Sequence, residues 1–231
     1  ISPKLLPFID PFITTIIPRP DPFLEQQRLV AVTEITAQQT TIVYSINHPY
    51  NIAKILDYTV ASNPECQRIL NDAKQYLTDQ QQRQEPNPSK IHALSTLITE
   101  YEQTLNSATG TTFVADNHGR ELILSSLEDL IISSMNGISY GSCVSGKDRK
   151  GIQLAHTNAM IIFYQIYKKW PSYKDIGRQR QYFINIFASL YESQHYHLFA
   201  GQNAPGSNGI KTPNGYLPYD ISSQIGLEIL N

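Results

Sequence analysis

The chain has 231 residues, 41% of them hydrophobic and 16% charged, and a formal net charge of −2. That length suits one sizeable domain or one and a half, and that apolar share excludes a disordered tail. The charge balance excludes the global basic footprint of a nucleic-acid binder, so any anion site must be local.

In chain order, the first 25 residues carry Pro3, Pro7, Pro11, Pro18, Pro20 and Pro22. Such density forbids regular helix and predicts an extended segment laid over a surface. Residues 28–35 and 41–46 are rich in β-branched and aromatic side chains and read as strands. Asn63 and Pro64 cap and open a helix whose Cys66, Ile69, Leu70, Ala73 and Leu77 share one face. Cys66 is therefore core filler, a small hydrophobe on an apolar stripe.

Residues 80–90 are polar, hold two prolines, and form an internal linker. The next helix places Ile91, Leu94, Ile98, Tyr101 and Leu105 at helical spacing. Thr111–Ala115 reads as a short strand, and Glu121–Ser133 as a helix through Ile123, Leu127, Leu130 and Ile131. Gly137–Ser142, short and partly β-branched, leads into Cys143-Val-Ser-Gly-Lys-Asp-Arg149 and then a long helix. That helix carries Ala155, Ala159, Ile162, Phe163 and Ile166 on one face. Another, about 176–199, groups Phe183, Ile186, Phe187 and Leu190; a loop-rich tail from Gly201 closes with a turn of helix from Asp220. The class is α/β, with helices outnumbering strands.

The two cysteines, Cys66 and Cys143, offer no disulfide framework. No apolar run approaches the roughly 20 residues of a membrane span. The start, Ile-Ser-Pro-Lys, lacks an initiator Met and the order of a signal peptide, so the chain reads as a fragment of a longer protein.

The chemistry concentrates after residue 140. A strand, a glycine-containing turn and a helix N-terminus form an anion site, because unpaired backbone N–H groups and the positive end of the helix dipole converge there. The same groups stabilise a thiolate and bring Cys143 into the nucleophilic range at neutral pH. Arg149, six positions on, can fork onto two phosphoryl oxygens. Gly146 lets an amide turn inward without a Cβ clash. Lys147 adds a cation, and Asp148 suits a general acid that protonates a leaving alkoxide.

Cys-Val-Ser-Gly-Lys-Asp-Arg resembles the Cys-Lys-Ser-Gly-Lys-Asp-Arg-Thr signature of phosphoinositide phosphatases that intracellular bacterial pathogens inject into host cells. SopB and IpgD effectors and inositol polyphosphate 4-phosphatases share that form. The wider surroundings, from Asn136 to the Gly201-Gln-Asn-Ala-Pro-Gly tail, look most like SidF-type effectors. The resemblance implies a cysteine-phosphatase-like fold: a short central sheet with a strand–loop–helix phosphate site and helix-rich surroundings. It implies a catalytic domain over 1–231 and removal of the D3 phosphate from polyphosphoinositides through a cysteinyl-phosphate. Cys143, Arg149 and Asp148 would be catalytic; Val144, Ser145, Gly146, Lys147 and Lys150 would bind substrate. It implies no metal or other cofactor, a phosphoinositide headgroup as partner, and no nucleic acid. It also implies secretion into the host cell, with the host membrane surface reached through regions outside this chain.

Two residues depart from the signature. Val144 stands where many relatives have Lys. Lys150 stands where most have Thr or Ser, whose hydroxyl assists breakdown of the phosphoenzyme; Lys150 would instead meet a neighbouring ring phosphate. The alternatives are a 4-phosphatase and a catalytically weak phosphoinositide-binding module. A protein-tyrosine phosphatase ranks lower, because its loop usually has smaller or uncharged residues at 147 and 148.

Other motifs carry less. Gly141-x4-Gly146-Lys147 opens like a nucleotide-binding loop, but Asp148 replaces the hydroxyl residue that holds magnesium. His195 and His197 lack a carboxylate or thiol at ligand spacing and read as a solvated helix end. His118 reads as a helix cap and His156 as a satisfied core histidine. Glu128 and Asp129, adjacent on a helix, point apart and form no acid–base pair.

Overall fold

The computed structural model describes residues 43–45, 64–106, 117–140, 148–193 and 217–225. The chain divides into two compact units, 1–43 and 44–231, and of the first only Val43 is described. The described elements are β1 (Val43–Ser45), α1 (Pro64–Gln81), α2 (Pro88–Leu105), α3 (Asn117–Ser134), β2 (Ile138–Tyr140), α4 (Asp148–Tyr167), α5 (Gly177–Glu192) and α6 (Tyr219–Ser222). The strands expected at 28–35 and 111–115, and the residues His195 and His197, lie outside the described residues.

Local chemistry sets the helix ends. Asn87 caps α2 by accepting the Lys90 backbone N–H at 3.1 Å, with Pro88 at the first helical position. At the end of α3, Asn136 adopts a left-handed φ of 60°, which an Asn tolerates better than most residues. The Gly137 N–H then bonds the Ile132 carbonyl at 2.9 Å and the Asn136 N–H bonds Ser133 at 3.1 Å, satisfying the last carbonyls. A Cβ on Gly137 would stand 3.0 Å from the Ile132 Cγ2 and 3.1 Å from the Tyr44 ring. Glycine is therefore what lets the chain turn from α3 into β2 beneath Tyr44.

The helices pack in succession: α1 on α2, α2 on α3, α3 on α4, α4 on α5, with α1 also touching α3 and α6 resting on α5. Helix α3 is the centre. Leu122, Ile123, Leu124, Leu127, Ile131 and Ile132 are all almost fully buried, so it is enclosed around its whole circumference. Tyr101 on α2 places its hydroxyl 2.6 Å from Glu128 Oε1 on α3 and 3.3 Å from the Cys66 carbonyl on α1. Trp170, just past α4, donates its indole N–H to the Ala93 carbonyl at 3.0 Å and stacks on Tyr164. Cys66 is buried in this core, as its position on the α1 stripe implies.

Three expectations change. The short central sheet is, among the described residues, a two-stranded pairing of β1 and β2, three residues each, with β2 lying against α3. Helix-on-helix packing supplies the core instead, so the described fold is helix-rich. Helix α3 begins at Asn117 rather than Glu121, taking in the Asn117–Arg120 stretch. On α4 the buried line runs Ile152, His156, Ala159 and Phe163, while Ile166 is 49% exposed. The apolar stripe outlasts the neighbours that could cover it.

Candidate active site

Strand β2 ends at Tyr140 and helix α4 starts at Asp148, so a strand and a helix N-terminus flank 141–147. Cys143, Val144, Ser145, Gly146 and Lys147 lie outside the described residues, as does the Arg149 side chain. Arg149 itself belongs to the first turn of α4, where backbone N–H groups have no intrahelical acceptor. Asp148, half-buried, is the first residue of α4, where a carboxylate complements the helix dipole.

Lys150 is drawn towards α3. Its Nζ lies 3.9 Å from Asp129 Oδ2 and donates to Gln153 Oε1 at 3.2 Å. Gln153 in turn donates its amide to the Ser125 carbonyl at 3.2 Å in a buried contact. Ser139, the middle residue of β2, donates its hydroxyl to the other Asp129 oxygen, Oδ1. Glu128 reaches towards α2 and Tyr101, while Asp129 reaches towards β2 and α4, so the two carboxylates do point apart.

His156 is fully buried two turns into α4. Its Nδ1 lies 2.9 Å from the Ser126 hydroxyl, and its ring meets Phe183 edge-on at 5.0 Å. Burial, with the nearby Arg180 as a lesser cause, holds its imidazole down at about 3. A neutral, hydrogen-bonded histidine in an aromatic setting is a core residue. Arg180 is engaged by Asp220 through two bonds of 2.7 and 3.1 Å, which fasten α6 to α5.

Sequence reasoning missed Asp129 and Ser139 as a pair around the site, and the burial of Arg120, which is 1% exposed. Asp129 and Ser139 lie ten residues apart across a helix end, beyond any periodic rule. The available signal was a carboxylate pair interrupting an apolar helix. Among the described residues, no group of three or more His, Cys, Asp or Glu is placed to hold a metal ion. No described helix is long and apolar enough to cross a membrane.

No protein-family model matches the chain, and no curated protein does. Among solved structures, the chain is similar to a Legionella phosphoinositide phosphatase whose crystal structure was described in connection with lipid metabolism in pathogen–host interaction. The two share 44% sequence identity with a TM-score of 0.67, over 92% of this chain and 25% of that one. The chain thus spans about a quarter of that protein's length. This match bears out the expected resemblance to a bacterial phosphoinositide phosphatase.

Proposed function

Taking the likeness to a Legionella phosphoinositide phosphatase as premise, we propose that this chain is the catalytic domain of a phosphoinositide phosphatase of the cysteine-dependent type. The observation that carries the reading is the 44% identity sustained over 92% of the chain. The Cys143-to-Arg149 motif lies inside a strand-to-helix frame, which supports the assignment of chemistry to those residues.

In the proposed mechanism the Cys143 thiolate attacks phosphorus; the S–P bond forms as the P–O bond to the inositol breaks. Arg149 and the loop amides hold the phosphoryl oxygens through the transition state, where charge is spread over them. Asp148 gives its proton to the leaving inositol oxygen. Water, deprotonated by the same carboxylate, then attacks phosphorus, and the P–S bond breaks to return the thiolate and release phosphate. Val144, Ser145, Gly146 and Lys147 line the phosphate cradle, and Lys150 contributes a cation for a second ring phosphate. The nucleophile is the side chain's own sulfur, so the scheme uses no metal.

We assign the D3 phosphate as the one removed, following the wider likeness to SidF-type effectors. The proposed setting is the host cell, into which the protein is secreted, on a membrane surface that carries the phosphoinositide. Phosphate release from a panel of short-chain phosphoinositides, with Cys143→Ser alongside, tests the reading. Release from 3-phosphorylated lipids that Cys143→Ser abolishes supports it. Release confined to 4-phosphorylated lipids would move the regiochemistry to position 4. Binding without release by both forms would make the chain a phosphoinositide-binding module.

A further inference from the structure

Helices α3 and α4 pack together, and three polar ties cross their seam. Asp129 faces Lys150, the Ser125 carbonyl accepts from Gln153, and the Ser126 hydroxyl meets His156. Ser125 and Asp129 are one turn apart on α3, as Lys150 and Gln153 are on α4, so the ties run as an antiparallel ladder. A slip of one helix along the other would break all three at once, and two of them, at Ser125 and Ser126, are buried. The ladder therefore fixes the axial register of α4 and with it the position of its first turn.

Asp129 does one thing more. Its Oδ1 accepts from Ser139 in β2 while its Oδ2 faces Lys150 at the start of α4, and only 13% of its side chain is exposed. A single carboxylate thus joins the strand that precedes 141–147 to the helix that follows. We propose that Asp129 is a positioning residue for the phosphatase loop, clamping its two anchor points through Ser139 and Lys150. The inference rests on the proposed function for the location of the chemistry. It assigns Asp129 no contact with substrate.

The sign of one measurement separates positioning from plain charge. Removing a negative charge near a thiol favours the thiolate and lowers the thiol pKa. Loosening the anchors of the amides that stabilise the thiolate raises it. Ser139→Ala loosens the strand anchor without changing any charge. Asp129→Asn keeps an acceptor for Ser139 but loses the attraction for Lys150.

The experiment measures the rate of Cys143 alkylation by iodoacetamide against pH in the full chain, by peptide mass spectrometry, which separates Cys143 from the buried Cys66. It is paired with kcat and KM on a phosphoinositide. Both variants are expected to raise the alkylation midpoint by about half a pH unit or more. Each should lower kcat about tenfold while KM moves less than about threefold. The clamp is overturned if Ser139→Ala leaves midpoint and kcat at wild-type values, or if Asp129→Asn lowers the midpoint. Should the wild type release no phosphate, the functional reading fails, and the alkylation midpoints alone still decide the clamp. Circular dichroism checks folding, and Ser139→Ala decides the matter where Asp129→Asn does not fold.

Discussion

The Tyr101 hydroxyl donates to Glu128 Oε1 over 2.6 Å at a point where both side chains are almost fully shielded from water. The phenol oxygen also lies 3.3 Å from the Cys66 carbonyl, so one side chain of α2 ties that helix to both α3 and α1. Burial first, then the Glu128 charge, push its pKa far above the ordinary tyrosine value, and it stays a donor throughout the useful pH range. Tyr101→Phe keeps the ring and removes the donor from a buried carboxylate. The expected loss is about 1.5–3 kcal/mol of stability, read as a lower urea midpoint with an unchanged slope.

His156 makes stability depend on pH. Its folded pKa of about 3 lies below the ordinary value near 6.5, so between them the unfolded chain binds a proton that the folded one refuses. The contribution is complete above about pH 6.5 and is lost as pH falls towards about 3. Between about pH 7 and pH 5 the folded state should lose about 2 kcal/mol from this group. His156→Gln, compared at both pH values, isolates it from Glu100, whose burial acts in the opposite direction. An identical pH slope in the variant would contradict the assignment.

The turn after α3 predicts two neighbouring substitutions of unlike effect. Asn136→Gly relieves a left-handed residue and should change stability by less than about 0.5 kcal/mol. Gly137→Ala puts a methyl 3.0 Å from Ile132 and 3.1 Å from Tyr44, and should cost about 1–3 kcal/mol. Thermal unfolding of the pair checks both. Equal melting temperatures would mean that Tyr44 and Ile132 move aside.

Asp148 has a kinetic signature if it is the general acid of the proposed mechanism. Asp148→Asn should lower kcat on a phosphoinositide about 10²–10⁴-fold, because the inositol alkoxide needs a proton to leave. An aryl phosphate such as 4-nitrophenyl phosphate leaves without one, and its turnover should fall far less. Equal losses on both substrates would place the proton elsewhere.

Periodic and local signals were legible in the sequence. The stripe through Cys66, Ile69, Leu70 and Ala73 specified α1, because an amphipathic face depends on residues within a turn of one another. Asn87 and Pro88, read as part of an 80–90 linker, instead cap and open α2, since the same residue types serve in linkers and at helix starts. Ile166 was misplaced for the same reason: a stripe shows which face is apolar and not how far along it a neighbour reaches. The expected central sheet had only short β-rich runs to rest on, and pairing partners are set by distant chain.

The loop composition, from Cys143 to Arg149, was determined by the sequence alone, since thiol, guanidinium and carboxylate carry their chemistry in their side chains. The match over 92% of the chain supports the class of protein that this composition implied. Tertiary structure alone decided that Asp129 meets both Ser139 and Lys150, and that Glu128 turns away to Tyr101. Those contacts join residues from different elements, and a hydrogen bond or an ion pair forms only where packing brings its two partners within about 3–4 Å.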